Sequence, residues 1–197
     1  MESTEFAVLD LETTGLDVKM DEIISIAIIP MTGLQIHFGK SFYSLIKPKK
    51  FHERTIKIHG ICRGDLDQAP TFEMIFEKIF GMLNNRIIVG FNVIFDIAFL
   101  KESAKKLQKN HHKKFELKYL DIKEIEGLIL LRAGIPVTPF IDFSDLLHKY
   151  QIEGTSRHNA LSDAYIAARI FQKQLNALLE FKITLDDLEM MRRMQIF

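Results

Sequence analysis

Three short stretches of the chain carry residues suited to metal-assisted cleavage of a phosphodiester. Asp10 and Glu12 follow an apolar run, Asp96 follows a second one, and His158 precedes Asp163 by five residues. Carboxylate oxygens are the ligands that hard divalent cations prefer. A histidine can take a proton from water near neutral pH. Four acids and one histidine are therefore the set that a two-metal hydrolytic site needs.

Each stretch also has an ordinary structural explanation when it is considered alone. Side chains alternate along a strand, so Asp10 and Glu12 point to the same side and repel each other unless a cation lies between them. An exposed strand end with two solvated acids would explain them equally well. Asp96 fits a first-turn acid favoured by the helix dipole, and His158 alone fits a surface histidine. The combination makes the functional explanation the better one.

The five-residue spacing of His158 and Asp163 separates them around a helix. At ~100° per residue the two side chains would lie about 140° out of line. We therefore predict that His158 lies in the loop before a helix and that Asp163 lies on the inner face of that helix. Gly154, Thr155 and Ser156 just upstream indicate a loop.

The order of the predicted elements indicates an α/β fold with a mixed sheet. Apolar runs predict strands at residues 6–9, 22–29 and 34–46, the second of them ended by Pro30. Short turns between them favour an antiparallel meander. Strands at residues 86–90 and 117–120 then alternate with helices. The predicted helices cover residues 72–83, 94–107, 122–131, 143–150, 161–179 and 188–194.

Length and composition fit a soluble globular protein. The chain has 197 residues, 47 % of them hydrophobic, and a formal net charge of zero. It therefore lacks the strong basic excess of a bulk nucleic-acid binder, so nucleic-acid contacts would come from local patches and bound metal. Two lysine-rich stretches, residues 47–57 and 101–118, could follow phosphates, although a solvated face is the ordinary explanation of such stretches.

Cysteine content and hydropathy suggest a cytoplasmic protein without a membrane segment. Cys62 is the only cysteine and cannot form an internal disulfide, which suits a reducing compartment. The polar first five residues do not resemble a signal peptide. No apolar run reaches the ~18 residues that a membrane span needs. We expect one domain over residues 1–179 and a C-terminal helical tail over residues 180–197, which either packs on the domain or docks a partner.

Three motifs resemble those of the DEDDh 3′–5′ exonuclease family, which includes the proofreading epsilon subunit of bacterial DNA polymerase III. The first motif spans residues 8–16 (VLDLETTGL), the second residues 90–100 (GFNVIFDIAFL) and the third residues 158–164 (HNALSDA). Residues 58–61 (IHGI), followed by Ala69-Pro70, match a further family segment. The resemblance covers residues 6–178. Phe91 stands where the family commonly has a histidine, so the nucleotide pocket is where a difference is expected.

The resemblance implies an RNase H-like fold with three antiparallel and two parallel strands flanked by helices. It also implies that Asp10, Glu12, Asp96 and Asp163 hold two divalent cations, Mg²⁺ or Mn²⁺. By the same resemblance His158 takes the proton from the attacking water. The expected product is a 5′-nucleotide released from a 3′ end.

The resemblance also implies a set of residues that bind the last nucleotide. In similar enzymes the segment after Glu12 touches the terminal sugar, and the position of Leu16 wedges against a base. The matching substrate-binding residues here are Thr13, Thr14, Gly15, Leu16, His59, Ile61, Asn92 and Phe95. Plain core packing is the alternative for Leu16, Ile61 and Phe95, a turn role for His59, and a helix-cap role for Asn92.

Three functions remain open on the sequence. The first is hydrolysis of DNA from a single-stranded 3′ end, in proofreading or repair, with a DNA polymerase subunit as a partner. The second is RNA trimming, because the catalytic residues of the two activities are shared. The third is a non-catalytic nucleic-acid-binding or polymerase-docking module. The complete set of four acids and a histidine argues against the third.

Overall fold

Two long antiparallel strands form the centre of a mixed sheet. A computed structural model describes residues 3–107, 117–137, 141–153 and 158–193. Its strands are β1 (Glu5–Thr13), β2 (Ile23–Thr32), β3 (Gln35–Ile36), β4 (Phe42–Leu45), β5 (Ile87–Gly90) and β6 (Tyr119–Asp121). β1 pairs antiparallel with β2 and parallel with β5, and β6 lies parallel to β5. The predicted mixed sheet, antiparallel on one side of β1 and parallel on the other, is confirmed.

The third predicted strand is divided into two short pieces. β3 and β4 both pair with β2, and a 3₁₀ turn at Phe38–Lys40 separates them. The predictions of a continuous strand over residues 34–46 and of a second strand ending at Pro30 are therefore wrong. The Pro30 carbonyl accepts the His37 N–H at 2.9 Å. In an antiparallel strand a residue's nitrogen and carbonyl face the same neighbour, so the missing N–H of Pro30 faces the gap between β3 and β4.

Helices cover both faces of the sheet. They are α1 (Ile56–His59), α2 (Arg63–Leu66), α3 (Phe72–Leu83), α4 (Val93–Leu107), α5 (Ile122–Arg132), α6 (Phe143–Tyr150), α7 (Ala160–Glu180) and α8 (Leu185–Arg193). The helices predicted between residues 72 and 179 are confirmed with small shifts at their ends. The periodicity did not predict α1 and α2, because four residues are too few to show a helical repeat. None of the helices in the described ranges combines the length and apolar composition needed to cross a membrane.

Alternate residues of β1 face two separate cores. Phe6 and Val8 belong to the core under α5, α6 and α7, and the ring of Phe6 meets that of Phe171 edge-on at 4.9 Å. Ala7 and Leu9 belong to the core under α3 and α4. The strand is thus buried on both faces, as expected for a central strand between helical layers. The side on which a residue of β1 lies is therefore determined by whether its number is even or odd.

The described part of the C-terminal segment packs on the rest of the chain. Ile183 and Leu188 are buried in the same core as α7. The start of α8 is capped in both directions, because the Asp187 carboxylate accepts the Thr184 N–H and the Asp187 N–H donates to the Thr184 hydroxyl. Residues 194–197 of the predicted tail lie outside the described residues, and so do residues 108–116 of the second lysine-rich stretch.

Candidate active site

The alternation of β1 brings three carboxylates together at its C-terminal end. Asp10 and Glu12 are even-numbered, like Phe6 and Val8, so they lie on the face that α7 covers. Asp163 is in the first turn of α7. Each of these three acids offers an oxygen, and the three oxygens lie within 4.8 Å of one another. Three of the four acids of the predicted set therefore converge at this point.

The start of α7 is held by side-chain caps. The Asn159 side chain accepts the Ser162 N–H at 3.2 Å, and the Asp163 carboxylate accepts the His158 N–H at 2.8 Å. His158 itself has a positive φ of 66° and an exposed side chain, and it lies two residues before the helix. Its predicted place in the loop is confirmed, and the loop is tied directly to the carboxylate of Asp163. Residues 154–157 lie outside the described residues.

Asp96 approaches the same end of the sheet from the opposite face. It lies in the first turn of α4, the helix that follows β5. The turn between β5 and α4 passes close to β1, since a Cβ on Gly90 would stand 2.8 Å from the Leu9 carbonyl oxygen. Asp96 is buried and is not part of the tight group formed by the other three acids. The negative charge of Asp96 nevertheless raises the pKa of Asp10.

Burial and mutual repulsion raise the pKa values of these acids. Burial raises the pKa of Asp10 well above its usual range, and the Asp96 and Asp163 carboxylates raise it further. Burial, followed by the charge of Asp163, raises the pKa of Glu12 to about 7. Burial also raises the pKa of Asp96 well above its usual range, although backbone N–H groups of Asp96 and Leu11 oppose the shift. Without a bound cation, the negative charges of these acids in their ionised form are therefore left uncompensated.

A divalent cation fits this donor set. Asp10, Glu12 and Asp163 supply oxygen atoms only, which suits Mg²⁺ or Mn²⁺ better than a thiolate-binding metal. A cation would offset the repulsion that otherwise favours the protonated acids. The carboxylates must be deprotonated to bind it, so protons and metal compete for the same atoms.

We expect the affinity for Mn²⁺ to rise with pH up to slightly alkaline values. A group with a pKa of about 7, as for Glu12, is mostly protonated at pH 6 and mostly ionised at pH 8. Competition at this residue alone predicts about tenfold tighter binding at pH 8 than at pH 6. Titration with Mn²⁺ followed by electron paramagnetic resonance would measure it. Equal affinities at both pH values, with the same stoichiometry, would contradict the assignment.

The loop after Glu12 carries four of the predicted substrate-binding residues. The Thr13 hydroxyl donates to the Gly15 carbonyl at 2.7 Å, and Thr14 is buried. The side chain of Leu16 is 82 % exposed, so core packing does not explain it. A large apolar side chain exposed to water four residues after Glu12 suits contact with a base of a substrate.

The other four predicted substrate-binding residues have varied surroundings. His59 is buried, and its Nδ1 accepts the Ile61 N–H at 3.0 Å. The ring of Phe95 packs against Phe99 with centroids 4.8 Å apart, so core packing accounts for at least part of its role. Asn92 is exposed with a positive φ of 51°, directly before α4. Their binding roles stay predictions.

Two acids near the site were not singled out from the sequence. Asp121 ends β6 and is buried, and its carboxylate accepts the Val93 N–H and the Lys123 N–H, each at 2.9 Å. It thereby links the first residues of α4 and α5. Its place between a strand and a helix is the pattern of an N-cap, which could have indicated it. The second acid, Asp21, is in the loop that carries Leu16 and has no comparable local signature.

Known proteins share this sequence pattern and fold. Residues 7–171 match the RNase_T family, which is described as an exonuclease family. The "DNA polymerase III subunit epsilon" of Aquifex aeolicus is 31 % identical over 96 % of this chain and 89 % of its own length. The "DNA polymerase III PolC-type" of Thermotoga petrophila is 30 % identical over 93 % of this chain, but the chain spans only 13 % of that relative's length.

A solved structure confirms the fold. The nuclease domain of 3′hExo, described as a DEDDh family member bound to rAMP, superposes with a TM-score of 0.73 at 18 % identity. The match covers 88 % of this chain and 92 % of that domain. The predicted RNase H-like fold is thus confirmed, and the RNase_T and epsilon-subunit matches confirm the predicted resemblance to an exonuclease family. The chain belongs to the RNase_T exonuclease family.

Proposed function

We propose that this exonuclease removes nucleotides from the 3′ end of single-stranded DNA by metal-dependent hydrolysis and releases 5′-nucleotides. The observation that carries the proposal is the convergence of Asp10, Glu12 and Asp163 within 4.8 Å at the end of β1. Asp96 adds a fourth carboxylate from α4, and His158 is tied to Asp163 through its backbone. These groups lie at the carboxyl ends of strands, where open α/β sheets bind their ligands.

The proposal gives each group a chemical role. Asp10, Glu12, Asp96 and Asp163 would hold two divalent cations, which when bound would stabilise the negative charge on the attacking and leaving oxygens. His158 would accept the proton of the attacking water, since its exposed ring can reach solvent. The backbone bond between His158 and Asp163 keeps the base next to the acid cluster. Thr13, Thr14, Gly15 and Asn92 would contact the terminal nucleotide.

His59 would donate a hydrogen bond to the substrate. Its Nδ1 accepts the Ile61 N–H, so in the neutral ring the proton is on Nε2. Among the described residues Nε2 is buried without a hydrogen-bond partner. Burial, followed by the charge of His158, lowers the pKa of His59, which favours the neutral ring. A buried donor without a partner in the protein would be satisfied by an oxygen of the bound nucleotide.

We propose DNA before RNA as the substrate because of the names that the relatives carry. Relatives with about 30 % identity over most of this chain include a "DNA polymerase III subunit epsilon" and a "DNA polymerase III PolC-type". RNA remains the alternative substrate, because the nuclease domain of 3′hExo, which has the same fold, was solved bound to rAMP. A polymerase partner is part of the proposal. Since Leu188 is buried in the core, such a partner would use the outer face of α8, where Met190 is 55 % exposed.

The direct test is nucleotide release from labelled oligonucleotides. We expect 5′-labelled single-stranded DNA to shorten from its 3′ end with Mg²⁺ or Mn²⁺ and to stay intact in EDTA. Matched RNA is expected to shorten more slowly. Faster cleavage of RNA would assign the RNA alternative. A folded protein that cleaves neither with either metal would overturn the proposal in favour of a binding module.

A further inference from the structure

The loop between β1 and β2 is closed by one carboxylate. The Thr14 hydroxyl donates to Asp21 Oδ1 at 3.0 Å, and the Asp17 N–H donates to Asp21 Oδ2 at 2.9 Å. The Thr14 hydroxyl in turn accepts the Glu22 N–H at 3.0 Å. Each carboxylate oxygen of Asp21 is therefore bonded to a different part of the loop. Its side chain joins the beginning, the middle and the end of the segment 14–22.

Gly15 is the residue that lets the Asp21 carboxylate occupy this position. A Cβ on Gly15 would stand 2.4 Å from Asp21 Oδ2 and 2.7 Å from its carboxyl carbon. A larger residue at position 15 would have to displace the carboxylate or the loop backbone. The φ of Gly15 is not positive, so the requirement is close approach and not backbone conformation.

Further bonds leave the loop little freedom. The Asp17 carboxylate accepts the Lys19 N–H at 2.9 Å, and the Asp21 N–H donates to the Asp17 carbonyl at 2.7 Å. Lys106 of α4 donates from Nζ to the Lys19 carbonyl at 3.1 Å, which ties the loop to the helix that carries Asp96. A loop with this many internal bonds loses little further entropy when a ligand binds to it.

This ordered loop carries apolar side chains in water. Leu16 is 82 % exposed and Met20 is 65 % exposed. Leu16 comes directly after Gly15, next to the carboxylate that closes the loop and four residues after Glu12 of the acid cluster. Ordering a loop does not by itself require exposed leucine and methionine, so the order and the exposure together point to a binding role.

We propose that Asp21 is a positioning residue that holds Leu16 against the bases of the substrate at its 3′ end. This inference rests on the proposed function. Asp21 acts through Leu16 and does not touch the reacting atoms. Without its carboxylate the loop would populate several conformations, and only the fraction with Leu16 in place would bind the substrate well. The apparent affinity falls by that fraction.

The expected effect is therefore on substrate binding more than on the chemical step. Asp21→Ala is expected to raise KM for a single-stranded oligonucleotide about tenfold, with kcat at saturation changed much less. The dependence of kcat on Mg²⁺ concentration should stay that of the wild type, because the acid cluster is not altered. Gly15→Ala should act in the same direction, since its Cβ pushes the carboxylate away without removing it.

The decisive experiment is a double-mutant cycle of Asp21→Ala and Leu16→Ala. KM is measured by release of 3′ nucleotides, and binding of the same oligonucleotide in EDTA is measured by fluorescence anisotropy. If Asp21 acts through Leu16, the double variant binds about as weakly as the weaker single variant. The matched control is Asp187→Ala, which removes a similar carboxylate-to-backbone bond from the start of α8, beyond the far end of the 21-residue helix α7 whose first turn carries Asp163. It should leave KM within about twofold.

The possible outcomes separate the two proposals. Effects of Asp21→Ala and Leu16→Ala that multiply in the double variant would overturn the positioning role while leaving the exonuclease intact. The positioning role would also be overturned if Asp21→Ala lowered kcat and shifted its Mg²⁺ dependence without affecting KM. If Asp21→Ala does not fold, the cycle is run with Gly15→Ala, and the same comparison decides. A wild-type protein that shortens no oligonucleotide would overturn the proposed function and this inference with it.

Discussion

Replacing Asp10 with asparagine is expected to reduce metal-dependent cleavage at least about a thousandfold. Asp10 is the acid whose charge interacts with all three other carboxylates, Glu12, Asp96 and Asp163. Asparagine has nearly the same shape but carries no charge and only one acceptor oxygen. The loss should therefore reflect metal binding and not altered packing. Initial rates of nucleotide release at saturating Mg²⁺ would measure it.

The same substitution should stabilise the metal-free protein. The pKa of Asp10 is raised in the folded state, so its contribution to stability is present below the unfolded-state value and is lost as the pH rises toward the raised value. At pH 8 in EDTA this loss lowers the free energy of unfolding of the wild type but not that of the asparagine variant. A gain of about 1 kcal/mol would raise Tm by ~2–4 °C for a chain of this size.

Added Mg²⁺ should reverse the order of the two proteins. A metal that binds only the folded wild type at 100 times its Kd contributes about 2.7 kcal/mol, whereas Asp10→Asn gains little. Asp186→Asn, a change of an exposed acid in α8, is the control and should leave both Tm and rate as in the wild type. A variant that cleaves at near wild-type rate, or that Mg²⁺ stabilises as strongly as it does the wild type, would remove Asp10 from the metal site.

The part of the site that the sequence predicted depends on local geometry. Alternation along one strand is enough to place Asp10 and Glu12 on the same side. The spacing of His158 and Asp163 is enough to predict that His158 lies in the loop and Asp163 on the helix. These are relations within a single element, which depend on few residues. The structure then adds that α7 covers the face on which both strand acids lie.

What the sequence could not predict depends on contacts between distant segments. The interruption between β3 and β4 follows from Pro30 only once the partner on that side of β2 is known. Asp121 is recognised as a support of α4 only when β6 lies beside β5, because it binds the N–H of Val93, 28 residues away. The closure of the loop by Asp21 depends on a hydroxyl at Thr14 and on the missing side chain at Gly15. No repeating pattern in a sequence encodes such pairings.

Replacing His158 with alanine is the second change for which we expect a large loss, about 10²- to 10⁴-fold in kcat, the usual contribution of a general base. A general base must be unprotonated to accept a proton, so wild-type activity should rise with pH. The carboxylates produce a similar rise, because protons also compete with the metal. Measuring the pH–rate profile at saturating Mn²⁺ removes most of that competition and leaves the contribution of the histidine.

At saturating Mn²⁺ the pH–rate profile of the wild type should keep a rising limb, and that of His158→Ala should lack it. Added imidazole should restore part of the rate of the alanine variant, because it can supply the missing base from solution. His148→Ala, a change of an exposed histidine on α6, is the matched control and should keep both the rate and the limb. A limb that persists in His158→Ala at saturating metal would assign it to the carboxylates. His158 would then serve to orient the start of α7 through its backbone bond to Asp163, and another group would have to remove the proton.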